Sequence, residues 1–96
     1  MENEIKFIGL HYGFKNQSQI LIEEMSELTK ALCKYNRSTD IIERTNLWGD
    51  IEEEMADVLV MIRQFCEVWV DKETVEAIAK GKIERQLNRI MEETKK

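Results

Sequence analysis

Proline is absent from this 96-residue chain and glycine occurs only four times. Strand-rich and α/β folds need turn punctuation at every strand end, so this scarcity points to helices. Histidine occurs once, at His11, and cysteine twice, at Cys33 and Cys66, with no CxxC or Cys/His spacing. Zinc sites and a disulfide framework are therefore not suggested, and free thiols in a reducing cytoplasm are expected. No apolar run reaches the roughly 18 residues that a membrane-crossing helix needs. The opening MENEIKFIGL has neither a basic leader nor a long apolar core, so neither a signal peptide nor membrane attachment is expected. A basic excess is missing too. With a net charge of −5, the chain is a poor candidate for a nucleic-acid binder, whose affinity is built from Lys and Arg on phosphates.

What is present describes one small soluble domain, residues 1–96. Hydrophobic residues make up 43% and charged ones 34%, too apolar for a disordered chain and too charged for a membrane protein. A chain this short buries only about 60–65% of its unfolded surface, which makes a homo-oligomer an expectation from the outset. The charge is unevenly placed. Residues 1–79 hold 8 Lys and Arg against 16 Asp and Glu, whereas residues 80–96 hold 6 against 3.

Apolar spacing predicts a short helix over Glu2–Tyr12, ending at Gly13. Asn16 is placed as the N-cap of a second helix, with Gln19 as its capping-box partner, running to about Lys34 or Tyr35. After the polar stretch 36–40, Asp40 and Glu43 cap one short turn, and Asn46–Gly49 reads as a break. A long helix is expected from Asp50 to about Val70, and Asp71 opens a last helix through Met91. The fold class expected is all-α, an antiparallel helical hairpin or bundle.

The chain also repeats itself. Leu21–Leu28 (LIEEMSEL) aligns with Ile51–Val58 (IEEEMADV), with six of eight positions identical or close in chemistry. At about 100° per residue, Glu24 lies beside an apolar arc of Tyr35, Leu28, Leu21, Leu32 and Met25. Glu54 lies beside the equivalent arc of Phe65, Val58, Ile51, Ile62 and Met55. Glu27 and Asp57 fall on the edge of these stripes, whereas Glu23, Glu52 and Glu53 point away.

Carboxylates facing a neighbouring helix with no Lys or Arg in either stripe need compensation, because an unpaired desolvated charge is costly. A divalent cation supplies it. All-oxygen ligation by Glu24, Glu27, Glu54 and Asp57 selects Mg²⁺, with Mn²⁺ as a substitute. A di-iron bundle of the Glu-x-x-His kind is excluded because His11 lies in neither helix.

Glu23-Glu24-Met25-Ser26-Glu27 followed by Glu54-Met55-Ala56-Asp57 resembles the E-E-x-x-E…E-x-x-D signature of the MazG-like, all-α nucleoside triphosphate pyrophosphohydrolases. The resemblance spans most of the chain, and the basic tail Lys80–Arg89 is similar to the family's last helix. It implies hydrolysis of an NTP or dNTP to a monophosphate and pyrophosphate, with Mg²⁺ held by Glu24, Glu27, Glu54 and Asp57. It also implies a dimer or dimer of dimers whose interface shapes the site. The related phosphoribosyl-ATP pyrophosphatases are a second possibility, but their lysine- and glycine-rich approach is missing from Gly13–Ile22. A non-catalytic helical dimerisation or nucleotide-binding module is a third.

On this reading Glu23 is a candidate to orient or deprotonate the attacking water. Lys82, Arg85 and Arg89, at i, i+3 and i+7 on one face, are candidates for the outer phosphates. Gln17, flanked by Asn16 and Gln19, is a candidate to read a base edge, and Trp48 to stack on a base. Tyr35, Phe65 and Trp69 are expected in the core.

Overall fold

The computed structural model describes residues 1–95 and is built of four helices: α1 (Glu2–Tyr12), α2 (Phe14–Arg37), α3 (Ile41–Val68) and α4 (Lys72–Thr94). Among the described residues there is no strand. The all-α expectation is met. α2 and α3 form a long antiparallel hairpin, and α1 lies across both near the end away from their connection.

Two boundaries fall where local chemistry puts them. Asp40 caps α3 by accepting from the Glu43 N–H at 3.0 Å, and Asp71 caps α4 by accepting from the Thr74 N–H at 3.2 Å. Two others do not. Asn16 is not a cap, because α2 opens earlier, directly after Gly13 at φ 85°, ψ 163°. That backbone conformation is essentially open to glycine alone. It lets the chain turn sharply, with Gly13 N–H donating to Gly9 C=O at 2.8 Å and Gln17 N–H donating to Gly13 C=O at 3.0 Å. The predicted break at Asn46–Gly49 is absent, and Asp50 lies inside α3 instead of capping it. One glycine costs a helix only about 1 kcal/mol. Half-buried Leu47 and buried Ile51 on either side hold the helix against α2.

The core is thin. Its buried apolar residues are Ile5, Ala31, Ile51, Val58 and Met61. At its centre sits a polar link, with Gln17 Nε2 donating to Gln64 Oε1 at 3.1 Å and Gln64 Nε2 donating to the Ile5 carbonyl at 3.3 Å. This link ties α1, α2 and α3 together, and Gln64 is only 1% exposed. The third member of the junction is Gly9, where an added Cβ would lie 2.9 Å from Gln64 Cγ and 3.1 Å from Val68 Cγ2. Beside it Phe14, Phe65 and Trp69 pack edge-on, with ring centroids 4.8–5.6 Å apart. Tyr35 is half-buried at the opposite end of the hairpin, near the α2–α3 connection.

The apolar stripes are wider than one neighbouring helix covers. Leu21, Leu28, Ala31, Ile51 and Val58 are buried or half-buried, while Met25, Leu32, Met55 and Ile62 remain 40–49% exposed. α4 goes further and buries no residue. It meets only α3, near the Trp69–Asp71 bend, where Lys72 pairs with Glu67 at 3.3 Å. Val75, Ile78, Ile83, Leu87, Ile90 and Met91 are all exposed.

Candidate metal centre

The antiparallel register of α2 and α3 brings the two halves of the sequence repeat face to face. Glu24 meets Asp57, Glu27 faces Glu54, and further along Tyr35 lies beside Trp48, with ring centroids 5.4 Å apart. Glu24, Glu54 and Asp57 each offer a carboxylate oxygen, and these oxygens lie within 4.8 Å of one another. Three of the four residues predicted from the stripes therefore converge. Glu27 stands outside that cluster and lines a shallow recess of about 110 Å³ with Lys30, Ala31, Lys34, Asp50 and Glu54.

The three carboxylates lie on an open edge of the helix seam: Glu24 and Glu54 are half-buried and Asp57 is exposed. Burial, then the charge of Asp57 and its hydrogen bond, hold the Glu24 carboxyl above the usual carboxylate range. Burial also raises Glu54, followed by the charges of Asp57 and Glu27. Among the described residues no ion pair reaches Glu24, Glu54 or Asp57. A cluster of like charges with no cation of its own, offering oxygen donors alone, fits a hard divalent ion.

The remaining candidates are scattered. Glu23 is exposed and points off the seam. Gln17 does not read a base edge: it is 5% exposed and its amide is bound to Gln64 inside the three-helix junction. The polar spacing before α2 marks a buried link between helices instead. Lys82, Arg85 and Arg89 are exposed on α4, which makes no contact with α2. Within one chain they do not meet the carboxylates. Trp48 is 53% exposed at the hairpin tip, in an open groove of about 400 Å³ lined also by Tyr35, Ile41, Arg44 and Thr45.

Two residues beside the carboxylates escaped the sequence reading. Lys30 and Lys34 follow Glu27 at i+3 and i+7, a spacing that places them on one helix face toward the recess. Compared with family models, with curated proteins and with solved structures, the chain matches none.

Proposed function

We propose that this protein hydrolyses a nucleoside or deoxynucleoside triphosphate to the monophosphate and pyrophosphate in a Mg²⁺-dependent reaction. The observation that carries this reading is the convergence of Glu24, Glu54 and Asp57 within 4.8 Å, with no ion pair to any of them among the described residues. These are three of the four ligands expected from the E-E-x-x-E…E-x-x-D resemblance. Glu24, Glu54 and Asp57 would hold the ion, with Glu27 as a further ligand from the adjoining recess. When bound, the divalent ion neutralises phosphate charge and acts as a Lewis acid at the scissile phosphoryl group. Lys30 and Lys34, which line the same recess on the face of α2 that carries Glu27, would attract the triphosphate and hold its charged oxygens. Glu23, exposed on α2 next to Glu24, is the candidate to orient or deprotonate the attacking water.

The same reading includes a second copy of the chain. The hairpin leaves Met25, Leu32, Met55 and Ile62 uncovered, and α4 leaves a whole apolar stripe uncovered. The acidic body and the basic residues 80–96 are complementary in charge. A partner's α4 docked on this hairpin covers both faces and brings Lys82, Arg85 and Arg89 toward the phosphates from the other subunit. With free Cys33 and Cys66, a cytoplasmic enzyme is the setting this reading proposes.

Pyrophosphate release from the common NTPs and dNTPs, with Mg²⁺ and with EDTA, is the direct test. Glu54→Gln keeps the shape of a ligand and removes its charge. Its kcat/KM should fall on the order of 100-fold or more, since even residues one step removed from a metal cost 10–100-fold when changed. Release that persists in EDTA, or that Glu54→Gln leaves intact, would refute the hydrolase reading.

A further inference from the structure

Two recesses lie end to end on the flank of the seam that carries Glu27 and Glu54. The inner one, of about 110 Å³, holds Lys30, Lys34, Asp50 and Glu54. The outer one, nearer the α2–α3 connection, encloses about 430 Å³ between Lys34, Arg37 and Ser38 on one side and Glu43 and Leu47 on the other. Lys34 lines both, so the two are contiguous. Helix geometry agrees: at about 100° per residue, Glu27, Lys34 and Ser38 fall within about 40° of one another, as do Glu54, Leu47 and Glu43 on α3. Trp48, about 120° around α3 from Glu54, belongs to the opposite flank. The walls of this groove differ in charge. Beyond Glu27, α2 supplies Lys30, Lys34 and Arg37, while α3 supplies Glu43, Asp50 and Glu54, with half-buried Leu47 between the acids. Among the described residues no ion pair crosses from one wall to the other. Opposite charges left apart in this way suit a ligand that presents acceptors to one side and donors to the other.

We propose that this groove seats one nucleotide along its length, with the base lying on Leu47 in the outer recess, and that Glu43 and Arg37 make guanine the preferred base. The inference rests on the nucleotide reading above. Glu43 precedes Glu54 by eleven residues, about 16 Å along the helix axis, room for an ion–phosphate contact, a nucleoside and one hydrogen bond laid end to end. The small inner recess suits a phosphate, and the larger outer one a base with its sugar. The Glu43 backbone is fixed by the Asp40 cap, whereas its exposed carboxylate enters no ion pair among the described residues. An ionised carboxylate has two acceptor oxygens and no donor. Among the common bases only guanine offers two adjacent nitrogens bearing hydrogen, N1–H and the N2 amino group, to both oxygens at once. Its O6, at the other end of the same edge, accepts from the Arg37 guanidinium across the groove. Adenine would bring its amino group to Arg37, donor against donor. Hypoxanthine keeps O6 but lacks the second donor for Glu43.

The test uses the intact protein and follows its leucine methyl peaks and tryptophan indole N–H peaks by NMR. Leu47→Ile identifies the Leu47 methyls, and Trp48→Phe the Trp48 indole. Guanosine, inosine and adenosine monophosphates (GMP, IMP, AMP) are titrated in Mg²⁺. GMP should move the Leu47 peaks, leave the Trp48 indole in place, and bind about tenfold more tightly than IMP, the discrimination one such contact supplies. AMP should bind more weakly than IMP. Glu43→Gln keeps the shape, loses one acceptor oxygen, and should bring GMP level with IMP. Arg37→Ala should bring IMP level with AMP while GMP stays ahead of both.

Equal binding of GMP and IMP by the unmodified protein, or no GMP binding at millimolar concentration, would overturn the proposal. So would a preference for GMP over IMP that survives Glu43→Gln, or a response at Trp48 with none at Leu47. Leu47 peaks that move with protein concentration in the absence of nucleotide would show a second copy in the groove and also overturn it. Parallel pyrophosphate-release assays separate this idea from the one beneath it. Triphosphate hydrolysis with no response at Leu47 keeps the hydrolase and removes the groove. GMP binding at Leu47 with no hydrolysis of any triphosphate keeps the groove and removes the hydrolase.

Discussion

Glu24 and Glu54 are half-buried acids with acids for neighbours, and their protonation should be visible in the stability of the metal-free protein. Both carboxyls lie above the ordinary value of 4.5 in the folded chain. Well below 4.5 the folded and unfolded chains are both protonated at these sites, and there is no difference. As pH rises from 4.5 toward the raised folded values, the unfolded chain has released protons that the folded chain still holds. Stability therefore falls through that window and stays lowered above it. Glu4 runs the other way. Its carboxylate pairs with the N-terminal ammonium at 2.7 Å and is lowered, so what it contributes is lost only below 4.5. In EDTA, the melting temperature should decline as the pH rises above about 4.5 through the raised folded values of Glu24 and Glu54. Glu54→Gln should flatten that decline, and saturating Mg²⁺ should flatten or reverse it. A melting temperature in EDTA that rises across the same range in both proteins would show that the cluster is not strained by its own charge.

The helices show how far sequence alone carries and where it stops. Asp40 and Asp71 were legible because a capping carboxylate acts on a backbone N–H three residues away, entirely within a local window. The continuity of α3 through Gly49 was not, because it depends on what Leu47 and Ile51 pack against. The Gln17–Gln64 link was also hidden, since its partners are 47 residues apart and a lone glutamine carries no periodic signal. Two glycine substitutions should separate local from tertiary effects. At Gly49 a Cβ meets nothing within 4 Å, so Gly49→Ala should stabilise by about 1 kcal/mol. At Gly9 the same gain in helix propensity is opposed by overlap with Gln64 and Val68. Displacing side chains fixed by packing and hydrogen bonds costs about 1–3 kcal/mol. Gly9→Ala should therefore lower the melting temperature while Gly49→Ala raises it, as read by thermal unfolding monitored by circular dichroism. Matching signs would mean that the α1–α3 approach is looser than described.

At the scale of the molecule, the repeat in sequence becomes a cross-helix pairing in space. Like residues at matching positions on two antiparallel helices meet near one level of the seam, which is why the carboxylate cluster could be read before the fold was known. The basic tail could not be placed the same way, because i, i+3, i+7 spacing puts Lys82, Arg85 and Arg89 on one face of α4 but says nothing about where α4 goes. In the structure α4 stands away from α2 with its apolar stripe uncovered. A patch of that kind on so small a protein calls for a partner. Sedimentation velocity at micromolar concentration should show a species larger than 11.4 kDa. Leu87→Glu, at a side chain 56% exposed in the single chain, should shift it to monomer without loss of helical signal. A monomeric parent protein would contradict the second-copy arrangement.

The bend at Trp69–Asp71 divides the chain by the range of its interactions. Before it, α1, α2 and α3 are sequence neighbours joined by short turns, the kind of topology in which loop closure is cheap and folding fast. Beyond it, α4 touches its own chain only at its first turns against the end of α3, and an isolated helix of its length is only marginally stable in water. If α4 docks on a second copy as proposed, refolding should separate into two events with different kinetic order. The first is a fast unimolecular collapse of residues 1–71, and the second a bimolecular ordering of α4 whose rate scales with protein concentration. During synthesis the consequence is temporal: the hairpin can close as it emerges, before α4 has been made.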